Sequence, residues 1–294
     1  MVKIDNLNTE KRNANTENLD SLSIQEILEV MNNEDKNVLA TIKEAIPSIE
    51  KLIEQTVAAY KNGGRIIYIG AGTSGRLGLM DAVEVVPTFN SDRFVGLIAG
   101  GDNAFVKAVE GAEDSKELCV NDLKKINFNS SDFLIGVAAS GRTPYVIGGI
   151  EYAKSVGAKT GCVVCNYDSE IGKLVDFKVD VNAGSEVLTG STRLKSGTCQ
   201  KIILNMISTC TMIKVGKVYK NLMVDVKATN EKLVERCRRI VMMATGCDYD
   251  LADKALNETD NNCKVAIVMI LLNKTKDEAI NSLKQANGFI KDVK

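Results

Sequence analysis

Histidine is absent from this 294-residue chain. Its absence excludes Ser-His-Asp and Cys-His catalytic arrangements, histidine general bases and the common histidine-rich metal sites. Acid–base chemistry is left to Asp, Glu, Lys, Tyr or Cys. An excess of charge is also missing: 37 basic residues face 38 acidic ones, so no basic field favours nucleic acid or an acidic membrane surface. Long apolar runs are lacking, the longest being Val265 to Leu272, too short to cross a bilayer. The polar stretch Met1 to Asp20 has no apolar signal core, which predicts a protein that is not secreted.

Eight cysteines are present, but only Cys162 and Cys165 form a C-x-x-C pair. A zinc knuckle would need a second pair or histidines, and a redox motif would open a helix. Here both thiols fall in the run Gly161-Cys-Val-Val-Cys-Asn, a predicted buried strand, so they are expected to be reduced core thiols in a cytosolic protein. Low-complexity linkers and tandem repeats are absent too. The length sets a prior of two units, one with a substantial core and one smaller.

What the chain does have is a tripeptide used twice. Ser74-Gly75-Arg76 and Ser140-Gly141-Arg142 each follow a short apolar run, Arg65-Ile-Ile-Tyr-Ile-Gly and Asp132-Phe-Leu-Ile-Gly-Val-Ala-Ala. A strand that ends in a glycine- and hydroxyl-rich turn opening a helix presents free backbone N–H groups, hydroxyls and the positive helix end together. Phosphate is the usual ligand for such a turn. Two of them predict one phosphorylated ligand between neighbouring strand ends, held by Gly72, Thr73, Ser74, Gly75, Ser140, Gly141, Arg142 and Thr143. Gly70-Ala-Gly-Thr-Ser-Gly75 also matches the dinucleotide fingerprint, but the next strand ends Ile98-Ala-Gly-Gly101 and the acid that would hold a ribose is not in place, Asp102 lying beyond it.

The periodicity around these turns predicts an α/β fold. Strands are expected at about 65–70, 94–99, 132–138, 161–165 and 176–181, with helices at about 75–85, 103–125 and 143–156. Near-continuous apolar strands alternating with helices indicate a parallel sheet covered on both faces. Thr143 is placed to cap a helix beginning at Pro144 and ending at Gly157. Before the sheet, residues 1–20 read as a flexible or partner-dependent arm, Ser23 and Glu26 as a capping box, and 34–60 as a helix that Pro47 could divide. After it, a hydroxyl-rich stretch leads into a long helix over about 192–218, and helices alone follow: 231–244, 248–256, 262–272 and 276–286.

With these motifs in hand, the chain resembles the N-acetylmuramic acid 6-phosphate etherases. The likeness is carried by Gly70-Ala-Gly-Thr-Ser-Gly-Arg-Leu-Gly78, Glu110-Gly-Ala-Glu-Asp114, Ala138-Ala-Ser-Gly-Arg-Thr-Pro-Tyr145 and Gly184-Ser-Glu-Val-Leu-Thr-Gly-Ser-Thr-Arg-Leu-Lys-Ser-Gly-Thr198, in matching order and spacing from about Leu7 to the C-terminus. The resemblance implies a sugar isomerase (SIS) domain with a flavodoxin-like parallel five-stranded sheet flanked by helices, an N-terminal helical segment and a small C-terminal helical bundle. Expected boundaries are 1–55 for the N-terminal arm and helices, 56–219 for the SIS domain and 220–294 for a C-terminal helical (UBA-like) domain. A cytoplasmic homodimer, a phosphorylated amino-sugar substrate and no cofactor or metal are also implied.

The implied reaction removes D-lactate from the C3 ether of the sugar and then adds water. Its two family carboxylates fall at Glu84 and Glu113, Glu84 as the acid for the departing oxygen and Glu113 as the base at C2. Glu110 and Asp114 are the near-neighbour alternatives to Glu113. Val85-Val86 stands where the family usually has a more polar or proline-containing pair. In related phosphosugar isomerases the segment around Glu186 helps hold the sugar, and helix capping is an equal alternative for it here. If its helix is unbroken, Glu84 lies about 15 Å along the axis from the first loop, so reaching substrate needs a kink or a partner's site. Two other functions share the phosphate loops: an aldose–ketose phosphosugar isomerase, which needs no leaving-group acid, and a phosphosugar-sensing regulator of the glucokinase regulatory type. The presence of both Glu84 and Glu113 and the compact length argue against the regulator.

Overall fold

Five short runs of apolar residues, each too short for a stable helix on its own, pair into one sheet in the computed structural model, which describes residues 7–228 and 230–294. The strands are β1 (Ile66–Gly70), β2 (Phe94–Ile98), β3 (Phe133–Ala138), β4 (Lys159–Val164) and β5 (Phe177–Asp180). All pairings are parallel and the order is β2-β1-β3-β4-β5. That is the flavodoxin-like doubly wound order, whose direction of winding reverses between β1 and β3. The inner strands β1 and β3 are buried at every position, as a sheet with both faces covered requires.

The crossovers are helical. β1 leads into α3 (Gly72–Phe89), while α4 (Asn103–Val106) and α5 (Lys116–Lys125) join β2 to β3. α6 (Pro144–Ser155) joins β3 to β4, and the five-residue α7 (Glu170–Leu174) joins β4 to β5. α6 lies hard against the sheet because glycines remove side chains from the contact. A Cβ on Gly136 of β3 would fall 2.5 Å from Val146 Cγ1, and one on Gly149 would fall 2.5 Å from Ile69 Cδ1. Tyr145, Val146 and Ile150 of α6 are fully buried, each worth roughly 1.5–3 kcal/mol of transfer free energy.

Several expectations are corrected. The region 103–125 is not one helix. It breaks after Val106, passes through Gly111 at φ 73°, makes a 3-10 turn over Ala112–Asp114 and restarts at α5, where the Ser115 hydroxyl accepts from the Leu118 N–H. Pro47 does not divide its helix. α2 (Lys36–Lys61) runs through it, carried by a buried stripe of Val38, Ile42, Ala45, Ile49 and Leu52 that continues on both sides of the proline. The α1 helix (Ile24–Glu34) has the expected Ser23/Glu26 capping box.

The N-terminal arm is also reassigned where it is described. Residues 1–6 lie outside the described residues. From Leu7 on, the chain forms short 3-10 turns tied to the sheet domain. The Asn8 N–H donates to Asn166 Oδ1 at 2.8 Å, the Thr16 hydroxyl donates to the Val187 carbonyl at 2.8 Å, and Thr9 is buried. Nothing in the local pattern announces these bonds, because every partner is more than 150 residues away.

The chain divides into two compact units, one of residues 1–82 with 93–208 and the other of 83–92 with 209–294. In the second, α9 (Glu231–Thr245), α10 (Tyr249–Glu258), α11 (Cys263–Leu272) and α12 (Lys276–Gln285) enclose a core that includes Val241, Leu256, Ala266 and Ile267. Asn230, Asp248, Asn262 and Thr275 cap these helices through their side chains, about 1 kcal/mol each. The long α8 (Lys195–Lys214) precedes them. Cys162 and Cys165 are buried and unpaired, and burial pushes the Cys162 thiol up to about 12, which keeps it inert. Among the described residues no helix is long and apolar enough to cross a membrane.

Candidate functional site

The two glycine-rich turns leave adjacent strands. Gly70 at the end of β1 is paired with Val137 near the end of β3, so the loops 71–75 and 139–143 start side by side where the winding reverses. Ligands of doubly wound sheets collect at that crevice.

The first turn is tight because its glycines permit it. A Cβ on Gly75 would lie 2.6 Å from the Gly70 carbonyl oxygen and 2.7 Å from Ile98 Cγ1, and Gly72 takes φ 53°. α3 can therefore start directly off the strand. Its first internal bond at the turn is from the Gly75 N–H to the Ala71 carbonyl at 3.1 Å. The N–H groups of Gly72, Thr73 and Ser74 come before that bond, at the open start of a helix, where backbone donors and the positive helix end suit an anion.

The second turn has the same character. Gly141 at φ 70° turns the chain, and its carbonyl accepts the Ile171 N–H at 2.9 Å. Thr143 occupies the N-cap of α6, yet its hydroxyl makes no capping bond, and Pro144 brings no N–H. The Thr73, Ser140 and Thr143 hydroxyls have no hydrogen-bond partner among the described residues. Ser74 differs: it is buried and its hydroxyl donates to Gln200 Oε1 of α8 at 2.9 Å, so that hydroxyl ties α3 to α8. Arg142 Nε lies 3.2 Å from Glu170 Oε1 at the start of α7.

Glu186 is fully buried at the start of α8. Its Oε2 accepts from the Lys195 N–H at 2.9 Å, and its Oε1 accepts from the Ser196 N–H at 2.9 Å and the Ser196 hydroxyl at 2.8 Å. The side chain is thus occupied as a cap. It sits beside a buried charge cluster that the local sequence pattern does not announce. Lys195 Nζ donates to Glu34 Oε2 at 2.6 Å, and Asn13 and Asn15 donate to the same carboxylate at 2.7 and 2.8 Å. Burial pushes the Glu34 carboxyl upward, but the bonds from Lys195, Asn15 and Asn13 outweigh it and hold the group below its ordinary value. This cluster fastens the hydroxyl-rich stretch 191–198 near the first turn, where a Cβ on Gly197 would meet Thr73 Cγ2 at 3.4 Å.

On the other flank of β1 is a hollow of about 190 Å³, lined by Ala71, Gly72, Arg76, Ala99, Glu110 and Glu113, among others. Glu113 stands on the 3-10 turn rather than on a helix face, and the left-handed Gly111 before it turns both Glu110 and Glu113 toward the hollow. Asp114 is not among the lining residues. Glu84 is exposed on α3, three turns past Gly72 and roughly 18 Å along the axis. It does not line this hollow, and its carboxylate has no partner among the described residues. Arg76 of the first Ser-Gly-Arg tripeptide lines the hollow as well, a residue outside the sequence-predicted site. The signal available was its place four residues after Gly72, which puts the two on one helix face.

A larger hollow of about 730 Å³ in the second unit lacks such turns. Its most buried cation, Lys264, is already bound to Asp225 Oδ2 at 2.7 Å and to the Gly216 carbonyl at 2.8 Å.

Residues 48–154 match the family model for the glucokinase regulatory protein N-terminal SIS domain. Curated relatives match almost end to end. The N-acetylmuramic acid 6-phosphate etherase of Bacillus cytotoxicus is 56% identical over 290 residues, 98% of this chain and 99% of its own length. That of Bacillus cereus is also 56% identical over the same span. Among solved structures, a phosphoheptose isomerase from Neisseria gonorrhoeae superposes with a TM-score of 0.50 over 64% of this chain and 99% of its own, at 15% identity, a likeness of fold alone.

Proposed function

The chain belongs to the N-acetylmuramic acid 6-phosphate etherases, and from that premise we propose how its residues carry out the reaction. It is a carbon–oxygen lyase that cleaves the D-lactyl ether of N-acetylmuramic acid 6-phosphate, giving N-acetylglucosamine 6-phosphate and D-lactate. Near-full-length identity of 56% carries this reading.

The 6-phosphate sits on the N–H groups of Gly72, Thr73 and Ser74, with hydroxyls from Thr73, Ser140 and Thr143. Backbone N–H groups suit this task because their dipoles are fixed before the ligand arrives. The open-chain sugar extends from there into the hollow beside Gly72. Its C1 aldehyde acidifies the C2 proton, which Glu113 removes. Electrons from the C2–H bond form a C2–C3 double bond while the C3–O bond breaks. The departing lactate oxygen takes a proton from Glu84. Water then adds at C3 and a proton returns to C2. One carboxyl starts as a base and the other as an acid, so the two need different surroundings.

Because α3 is continuous from Gly72 to Phe89, the route for Glu84 is to a substrate held by a second copy of the chain. The exposed Met80 and Val83 beside it, 40% and 59% accessible, supply an apolar face for that copy to cover. We therefore read the protein as a homodimer, acting in the cytoplasm, where free thiols such as those of this chain persist. Glu186 serves the site by fixing α8 rather than by touching the sugar.

The test is incubation with N-acetylmuramic acid 6-phosphate and an assay for free D-lactate. Release of lactate is expected. Isomerisation of the phosphosugar without lactate, or tight binding without turnover, overturns the reading.

A further inference from the structure

The etherase reading leaves one charge of the substrate without a partner. Besides its phosphate, the sugar carries a carboxylate on the lactyl group, one carbon beyond the ether oxygen that leaves. If Glu113 works at C2, that carboxylate has to lie in or at the edge of the same hollow. Glu110 and Glu113 both line it and would repel a second anion. We infer that Arg76 binds the lactyl carboxylate and is the residue that makes the site select an ether bearing an acid. This inference rests on the proposed reaction and deepens it.

Four observations point to Arg76. It lines the hollow together with Gly72 and Glu113. Its Nε donates to the Phe105 carbonyl at 2.9 Å, which holds the plane of the guanidinium. Its terminal nitrogens have no partner among the described residues, and no ion pair joins it to Glu110 or Glu113. Finally, the rest of the lining is small and apolar: Ala71, Ala99, Ala104, Ala108 and Val109. A fixed cation with two free donors beside an alanine surface matches the lactyl group, which has a carboxylate and a methyl on one carbon. Guanidinium forks pair with carboxylates through two parallel bonds, which a lysine does not reproduce.

Phosphate is the poorer match for the same cation. The phosphate is attached at C6, three carbons away from the ether-bearing C3, and the free N–H groups at the start of α3 already suit it. Arg76 shares its hollow with the residue assigned to the reacting carbons, so the substituent on C3 is the nearer anion.

The experiment compares wild type, Arg76→Gln and Arg76→Lys on two substrates, N-acetylmuramic acid 6-phosphate and its lactamide, in which the carboxylate is a neutral amide. Competitive inhibition by N-acetylglucosamine 6-phosphate, which has no lactyl group, is measured alongside. For Arg76→Gln, kcat/KM on the acid should fall about 10- to 100-fold, the range of a lost charge-assisted pair. The lactamide rate should change by less than about threefold, the inhibition constant should hold, and Arg76→Lys should recover only part of the loss. Equal losses on both substrates, or a weaker inhibition constant, overturn the assignment and leave Arg76 a structural or phosphate-binding residue. A wild type that releases no lactate defeats the underlying reaction, and this assignment with it.

Discussion

Changing Glu186 to glutamine keeps the size of the side chain but turns one acceptor oxygen into a donor. In the native protein three donors converge on the carboxylate: the N–H groups of Lys195 and Ser196 and the Ser196 hydroxyl. The amide oxygen of the variant can keep the two bonds from Ser196. Its NH2 then faces the Lys195 N–H, donor to donor, in a place without access to water. Losing a charge-assisted bond and stranding a buried N–H costs about 2–3 kcal/mol. Removing a negative charge from the start of α8 adds about 0.5 kcal/mol. At about 2–4 °C per kcal/mol for a unit of this size, the melting temperature should fall by roughly 5–14 °C. Calorimetry or circular dichroism on wild type and variant reads this directly, and steady-state kinetics below the transition should show KM changed less than about threefold. A melting temperature within about 1 °C of wild type, combined with a tenfold rise in KM, would refute the capping account and give Glu186 to the sugar.

Asp81 supplies a pH test. It is buried between α3 and α8, with Oδ1 accepting from the Ser208 hydroxyl at 3.0 Å. Burial raises its carboxyl from the ordinary 3.8 to about 6, against the opposing pull of Ser208, Tyr68 and Lys201. Between about pH 4 and 6 the native state therefore binds more protons than the unfolded chain, and stability falls as pH rises, by up to about 3 kcal/mol. Asp81→Asn should be near neutral at pH 4 and stabilising by up to that amount at pH 7.5 in urea titrations. A variant that is no more stable at the higher pH contradicts the reasoning. Glu84→Gln and Glu113→Gln should each lower lactate release roughly 100- to 10,000-fold, with the inhibition constant of N-acetylglucosamine 6-phosphate held within a few-fold. Full activity in either variant rejects that residue. Gly75→Ala places a methyl 2.6 Å from the Gly70 oxygen. It should cost about 1–3 kcal/mol and weaken binding of the same inhibitor, read by chemical denaturation and calorimetric titration.

What the sequence alone determined was whatever short-range chemistry dictates. Apolar runs of five or six residues flanked by glycine-rich turns marked the strands to within a few residues. Ser23 with Glu26 marked a capping box, and Gly157 marked the end of α6, because caps and turns depend on neighbours three or four positions away. The repeated Ser-Gly-Arg turns pointed to a phosphate for the same reason. Tertiary structure decided what depends on distant partners. The pairing of Gly70 with Val137 sets the two turns side by side, and Glu186 became a cap because α8 begins where its carboxylate lies. Asn8, Asn13 and Thr16 found acceptors or ion clusters far along the chain, which made an apparent arm part of the first unit. Helical periodicity ran through 103–125, yet Gly111 and Ser115 broke it and turned Glu113 into a hollow beside Arg76. Local pattern governs which hydrogen bonds a segment can make with itself, and only the folded chain determines which side chains meet across it.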